Sequence, residues 1–187
     1  MRMQFFGDSY DIVKRFLLDT LGDGAPWVAY PMFTHEVTAA DVAAFEHFLG
    51  ASVASNVVFT PGCDRSAGLR TPPGAQRVFL DPDTGVRLKP SGGAKSAAYV
   101  FGPELKELCL SEQDRLVLVF DQSLPRGEER FALEAKLAYF LERGVFGFAY
   151  LSHACFLILS ANQAMIAQAR EALLSKGLPE SRLVQAA

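Results

Sequence analysis

The apolar positions of the chain alternate between stripes at helical spacing and short continuous runs. In "DSYDIVKRFLLDTLGDG" (8–24) apolar residues recur every three to four positions, with Asp8 or Ser9 as N-cap and Gly22 as terminator. This pattern predicts an amphipathic helix. Its predicted apolar face comprises Ile12, Val13, Phe16, Leu17 and Leu21.

The rest of the chain continues this alternation. The continuous apolar runs, flanked by turn residues, predict strands, and "WVAYPMFT" is the first of them, ended by Pro31 because proline cannot donate to a ladder. Two segments rich in Gly, Pro and Ser, 60–76 and 86–100, are predicted loops, the second of them mobile. The predicted strands lie within 27–34, 51–59, 77–85, 114–123, 145–152 and 154–161. The further predicted helices lie within 38–50, 103–110, 129–144 and 162–177.

Strands that alternate with helices pair in parallel through right-handed crossovers. The predicted fold class is therefore α/β, a three-layer sandwich with a mostly parallel central sheet. The last two strands are separated by little more than Ser152 and His153, so they are expected to form a C-terminal antiparallel pair. A length of 187 residues without a long linker predicts one α/β domain, 1–187.

Composition narrows the class of protein. Half of the residues are hydrophobic, including fifteen Phe, which is enough for a large core without metal or disulfide support. Three widely spaced cysteines suggest neither a disulfide framework nor a zinc site. A net charge of −3 argues against a surface that binds polyanions as a whole. The sequence has neither a signal-peptide pattern nor an apolar run of about 20 residues, so a cytoplasmic protein without a membrane partner is expected.

Polar residues follow three of the predicted strands. In open α/β sheets, ligands bind beyond the carboxyl ends of the strands, where a rigid strand aims each side chain towards solvent. These positions are the main functional signal in the sequence. The three clusters are Asp81 with Asp83 and Thr84, Asp121 with Gln122 and Ser123, and Ser152 with His153.

Each cluster admits a chemical and a plain structural interpretation. Asp81, Asp83 and Asp121 have the oxygen ligands that Mg²⁺ takes, whereas "DPDTG" is also the composition of an ordinary turn. Asp121 is suited equally to ligand binding and to capping the loop after its strand. His153 is suited to a general base, because its unperturbed pKa is about 6.5, or to a turn in which its ring bonds a carbonyl.

These interpretations give a definite set of candidate residues. Among the basic residues that are candidates to contact phosphate, Arg126, Arg130 and Lys136 follow the second cluster, and arginine binds phosphate in a bidentate manner. As predicted exposed helix residues they need no such role. The catalytic candidates are Asp81, Asp121 and His153, and the substrate-binding candidates are Asp83, Thr84, Gln122, Ser123, Arg126 and Ser152.

The C-terminal half resembles the second half of class I S-adenosylmethionine-dependent methyltransferases, over roughly residues 75–175. In that family a strand ends in an (N/D/S)PP(Y/F)-type motif that holds the target amino group, and the sheet finishes with an antiparallel hairpin. Asp81 and Pro82 of "LDPDTG" match the motif, and Asp83 replaces its second proline. The resemblance implies a Rossmann-like fold with the cofactor at the end of the first strand, where "YPMFTHE" has no glycine.

Three functional hypotheses follow. The first is a methyltransferase-like enzyme that uses S-adenosylmethionine, acts on nucleic acid or a nucleotide, and positions its substrate with Asp81. The second is a Mg²⁺-dependent phosphoesterase or nuclease that uses Asp81, Asp83 and Asp121. The third is a non-catalytic module that binds a ligand or partner at its strand ends.

Overall fold

The central feature of the fold is a seven-stranded mixed sheet, with a separate two-stranded sheet beside it. The computed structural model describes residues 6–90, 92–93 and 96–186. Within that part the strands are β1 (Trp27–Tyr30), β2 (Ala51–Val53), β3 (Arg77–Leu80), β4 (Gly85–Arg87), β5 (Tyr99–Phe101), β6 (Leu116–Phe120), β7 (Phe146–Tyr150), β8 (Phe156–Ser160) and β9 (Leu183–Val184). The helices are α1 (Ser9–Leu21), α2 (Ala39–Leu49), α3 (Arg65–Gly68), α4 (Gly102–Leu110), α5 (Glu129–Leu141) and α6 (Gln163–Ser175).

The strand order of the large sheet is β2-β1-β3-β6-β8-β7-β9. The pairings among β2, β1, β3 and β6 are parallel, whereas β8 is antiparallel to both of its neighbours and β9 is antiparallel to β7. The α/β class and the C-terminal antiparallel pair are confirmed. The sheet is mixed rather than mostly parallel, because the antiparallel strand β8 lies between β6 and β7. The two-residue strand β9, which was not predicted because it is not part of a long apolar run, is also antiparallel to its neighbour.

Alternate residues of the central strands enter two separate hydrophobic clusters. In β6, Leu118 and Phe120 belong to the first cluster, and Val117 and Val119 belong to the second. Side chains of α1, α2 and α6 complete the first cluster, and side chains of α4 and α5 complete the second. This alternation explains why β6 has no polar position, since a strand buried on both faces requires a continuous apolar run.

The direction of chain winding reverses at β1. The next strand along the chain, β2, lies on one side of β1, and β3 lies on the other. The helices α2 and α4, which follow β1 and precede β6, contribute to different hydrophobic clusters. A reversal of this kind leaves a crevice outside the carboxyl ends of the two strands, which is where open α/β sheets bind ligands. Here that position lies beyond Tyr30 and Leu80.

The buried face of α1 differs from the one predicted. Ile12 and Phe16 are 60% and 39% exposed, although the apolar stripe places them inside. The helix instead buries Asp11 and Lys14 beside its leucines. The helix face predicted from apolar residues alone is therefore rotated about the helix axis relative to the face that packs in the core. The reason is that Asp11 and Lys14, whose charges neutralise one another, lie on the packed face.

The predicted mobile loop 86–100 contains regular structure. The strands β4 and β5 pair in parallel, with Val86 opposite Val100, and both valines are buried in the second cluster. The predicted strand in 51–59 is shorter, since only Ala51–Val53 pairs with β1. The length of β2 is limited by its partner β1, which has only four residues.

Two of the cysteines are core residues, as the sequence predicts. Cys109 and Cys155 are buried, and Cys63 is partly exposed. Burial raises the pKa of the Cys109 thiol from 9.0 to about 12.

This shift predicts a loss of stability in alkali. Below pH 9 the thiol is protonated in both states, whereas above pH 9 only the unfolded chain releases the proton. The free energy of unfolding should therefore fall as pH rises from 9.0 towards about 12, by at most about 1.4 kcal/mol per pH unit for this group. Urea unfolding between pH 8 and 11 should show a shallower fall in Cys109→Ala and the wild-type slope in Cys63→Ala. Equal slopes in all three proteins would contradict the assignment.

Candidate functional site at the carboxyl edge of the sheet

A buried cluster of three charged residues lies at the point where the winding reverses. Lys14 Nζ is 2.8 Å from Asp11 Oδ1 and 2.9 Å from Asp81 Oδ2. The side chains are 5%, 3% and 2% exposed for Lys14, Asp11 and Asp81. The cluster therefore joins the first helix of the chain to the end of β3.

Local structure fixes both sides of this cluster. Asp8 caps α1 by accepting hydrogen bonds from the N–H groups of Tyr10 and Asp11, and Gly7 N–H donates to Asp11 Oδ2 at 2.8 Å. Asp81 N–H donates to Tyr30 O at 2.9 Å and so extends the β1–β3 ladder by one residue. The backbone at both carboxylates is thus held by hydrogen bonds other than the ion pairs.

The charges are unequal, since one ammonium group faces two carboxylates. Burial alone would lower the pKa of Lys14, but the attraction of Asp81 and Asp11 outweighs burial and raises it. Burial raises the pKa of Asp81, and the opposing attraction of Lys14 does not cancel that effect. Lys14 is therefore the cation on which the burial of two carboxylates depends.

Aromatic and amide groups form the outer rim of the cluster. Lys14 Nζ lies 4.7 Å from the ring centroid of Phe120, and the Tyr10 ring packs edge-on against Phe120 at 5.8 Å. The ring of His153 lies 5.2 Å from that of Tyr10. Gln122 Nε2 donates to His153 O at 3.0 Å. Three elements therefore converge here, namely α1, the end of β6 and the β7–β8 turn.

Asp121 belongs to a different cluster. Its Oδ2 is 2.5 Å from Lys136 Nζ, and its Oδ1 accepts from Ser123 Oγ at 2.6 Å and from Val86 N–H at 3.0 Å. Lys136 also donates to Val86 O at 2.9 Å. Asp121 is fully buried, and its contacts fasten β4 to the end of β6. Asp121 therefore caps the loop after β6, which is one of the two interpretations of its position in the sequence, and it also binds the backbone of β4.

Asp81 and Asp121 point to opposite faces of the sheet. Leu80 pairs with Val119, which places Asp81 beside Phe120 rather than beside Asp121. Asp81 then contacts a lysine of α1, and Asp121 contacts a lysine of α5. The predicted meeting of the two carboxylates does not occur.

The metal interpretation finds no support in this geometry. In the part of the chain that the structure describes, no three His, Cys, Asp or Glu side chains form a group that could hold a metal ion. Asp83 and Thr84 form a bend, in which Thr84 N–H donates to Ala98 O at 2.8 Å and Thr84 O accepts from Gln122 N–H at 2.9 Å. The turn interpretation of "DPDTG" therefore describes Asp83 and Thr84, whereas Asp81 lies in the charged cluster.

Two further candidates have separate environments. Ser152 shapes the β7–β8 turn, since its hydroxyl donates to Ala154 O at 2.8 Å and accepts from Ala154 N–H at 3.1 Å. Arg126 is exposed in the loop after β6. Its charge contributes to the lowered pKa of Glu129, after the larger effect of a hydrogen bond from Gly127 N–H. Neither residue is among the contacts of the Lys14 cluster.

The sequence prediction missed Asp11, Lys14 and Tyr10. One signal was available, because Asp11 and Lys14 are three residues apart and Leu17, Leu18 and Leu21 continue the same helical face. A charged pair of opposite sign on an apolar helix face indicates burial with a further partner. The identity of that partner, Asp81, depends on the packing of α1 against β3.

The turn after β1 lacks the feature with which class I methyltransferases bind S-adenosylmethionine. In that family the first strand ends in a glycine turn that lets the cofactor approach the backbone. Here the turn consists of Pro31, Met32 and Phe33, and the last two side chains are 1% and 0% exposed. Met32 has the positive φ of 47° that glycine usually adopts, but its side chain occupies the core.

Comparison with protein-family models, curated proteins and solved structures finds no match to this chain. None of the helices in the described ranges is long and apolar enough to cross a bilayer.

Proposed function

We propose that the chain is a nucleobase-binding protein with a methyltransferase-like α/β frame. The base of a nucleotide or of single-stranded nucleic acid is held at the carboxyl edge of the sheet by Tyr10, Gln122 and His153. The observation that carries this proposal is that the His153 ring lies against the Tyr10 ring while the Gln122 amide reaches the His153 backbone carbonyl, beside the Phe120 ring that Lys14 contacts. Rings and an amide together are the groups with which proteins hold unpaired bases.

Two features support the methyltransferase-like frame. Asp81 and Pro82 directly follow β3, as the motif of that family requires, and β7 and β8 form an antiparallel hairpin after the parallel strands. In this proposal the parallel strands β2, β1, β3 and β6, with helices on either side, form the three layers of the sandwich. In this proposal the chain has the frame of class I methyltransferases without the glycine turn that binds their cofactor.

Each group has a defined role in binding. The rings of Tyr10 and His153 offer stacking surfaces, and stacking on a protein ring contributes about 1 to 3 kcal/mol per base. The amide of Gln122 has a carbonyl oxygen and a second N–H group, the pair that reads an adenine edge. Asp81 acts as a positioning residue, because with Lys14 it fixes the helix that carries Tyr10.

Calorimetric titration with the four nucleoside monophosphates and a ten-nucleotide single strand tests this proposal. Tyr10→Leu and His153→Ala should each weaken binding by about tenfold, since each removes one stacking surface. The matched control is Phe131→Leu, which removes an exposed ring on α5 and should leave affinity unchanged. Gln122→Ala should reduce the preference among bases more than the affinity itself.

Two outcomes would contradict the proposal. One is no binding of any of these ligands at millimolar concentration, and the other is an equal loss in Phe131→Leu. Titration with S-adenosylmethionine and with adenosine separates the two ligand classes. Equal affinities indicate recognition of the base, whereas a much tighter S-adenosylmethionine complex would indicate a cofactor site.

A further inference from the structure

A second candidate site lies between the segment 65–73 and α4. The structure contains a cavity of about 500 Å³ there, within the range of about 300 to 1,000 Å³ that is typical of small-molecule sites. Its apolar wall comprises Leu69, Leu80, Val100, Leu105 and Leu108.

This cavity is separate from the carboxyl-edge site. Leu80 belongs to the second hydrophobic cluster, whereas Asp81, the next residue, faces Lys14 of α1 on the other side of the sheet. The segment 65–73 is fastened over β1 by a hydrogen bond from Tyr30 Oη to Arg70 O at 2.8 Å. An inference about the cavity therefore does not depend on nucleobase binding.

Several charged residues that line the cavity are engaged within the protein. Arg65 donates to both carboxylate oxygens of Glu104, at 2.6 and 2.9 Å. Arg115 donates to Ala75 O, Leu108 O and Ser111 Oγ at 2.8, 2.9 and 2.5 Å. These groups stabilise the walls and are not available to a ligand.

Two lining residues of opposite charge come from the two segments that border the cavity. Arg70 lies on the 65–73 segment and Glu107 lies on α4, and both are exposed. Neither side chain forms a hydrogen bond or ion pair to another residue in the described ranges, although Arg70 contributes a long-range attraction to Asp64. Glu112 also lines the cavity, and it lies 3.9 Å from Arg115.

We propose that the cavity binds a small zwitterion with an apolar body, namely a free amino acid with a large aliphatic or aromatic side chain. The carboxylate of the ligand pairs with Arg70, its ammonium group pairs with Glu107, and its side chain lies against Leu69 and Leu108, the partly exposed leucines of the lining. A simple anion would suffer repulsion from Glu107, and a simple cation would suffer repulsion from Arg70. The charge pattern therefore favours a ligand that carries both charges.

Isothermal titration with L-leucine and L-phenylalanine, set against derivatives that lack one charge, tests the proposal. N-acetyl-L-leucine lacks the ammonium group, and L-leucinamide lacks the carboxylate. Each should bind the wild-type protein at least about tenfold more weakly than L-leucine, since each loses one charge-assisted contact. In Glu107→Gln the discrimination against N-acetyl-L-leucine should disappear, and in Arg70→Gln that against L-leucinamide should disappear.

A blocking variant locates the ligand. Leu108→Trp fills the cavity and should abolish binding, whereas Leu110→Trp, an exposed position on the same helix, should retain it. Circular dichroism and cooperative urea unfolding show that Leu108→Trp is folded. The inference is overturned if neither amino acid binds at about 10 mM, if both derivatives bind as well as L-leucine, or if Leu108→Trp binds normally.

Discussion

Lys14→Met is expected to lower the free energy of unfolding by about 3 to 5 kcal/mol at pH 7. The substitution keeps an unbranched side chain, one heavy atom shorter, but leaves the carboxylates of Asp11 and Asp81 buried without a cation. Removal of one partner from a buried ion pair typically has an effect of this size, because the remaining charge is desolvated. Urea unfolding followed by circular dichroism measures the loss.

The counterpart variant Asp81→Asn should change stability by less than about 1 kcal/mol. It removes a carboxyl whose pKa is raised by burial, and it leaves Lys14 paired with Asp11 in a neutral pair. A loss in Asp81→Asn as large as that in Lys14→Met would contradict this account of the cluster.

The loss in free energy of unfolding caused by Lys14→Met should also be smaller in acid. Without Lys14 the folded-state pKa of Asp81 rises further above 3.8, so the folded chain binds a proton that the unfolded chain releases. Such a group contributes stability below pH 3.8 that is lost as pH rises through the folded pKa. The difference between wild type and Lys14→Met is therefore expected to be smaller at pH 4 than at pH 7, and a constant difference would contradict the mechanism.

Gly85→Ala is expected to lower the free energy of unfolding by about 3 to 5 kcal/mol. Gly85 has a φ of 139°, a region almost restricted to glycine, where another residue is strained by about 1 to 3 kcal/mol. An added Cβ would also overlap Asp121 Oδ1 and lie 2.9 Å from Gln122 N. Overpacking of this kind has an additional effect of about 1 to 3 kcal/mol.

Gly127→Ala is the matched control for this effect. Gly127 also has a positive φ, 85°, but a Cβ at that position meets no atom within 4 Å. It should therefore show only the backbone strain, about 1 to 2 kcal/mol. Thermal and urea unfolding of both variants isolate the clash with Asp121, and equal losses in the two variants would show that the clash is absent.

Much of the fold was predictable from local pattern. The continuous apolar runs around Leu80 and Leu118 identify strands buried on both faces, and caps such as Thr38 and Asn162 identify helix starts. The short connection through Ser152 and His153 correctly predicts an antiparallel pair. These features were accessible because they depend on residues close together in the chain.

The errors share one cause, which is that they depend on distant residues. The apolar stripe of α1 predicted that Ile12 and Phe16 are buried. The face of α1 that packs against the sheet is instead the one on which Lys14 forms an ion pair with Asp81. The pairing of β4 with β5 escaped detection because Val86 and Val100 are separated by a polar segment. Neither relationship leaves a local periodicity in the sequence.

The sequence by itself determined that Asp81 and Asp121 stand at the ends of buried strands, because an apolar run followed by a polar residue marks the point where a strand leaves the core. The tertiary structure alone decided their roles. The register that pairs Leu80 with Val119 sets Asp81 opposite Phe120, so the two carboxylates differ in parity and face different helices. Side chains alternate between the faces of a strand, so a register shift of one residue would have brought the two acids together.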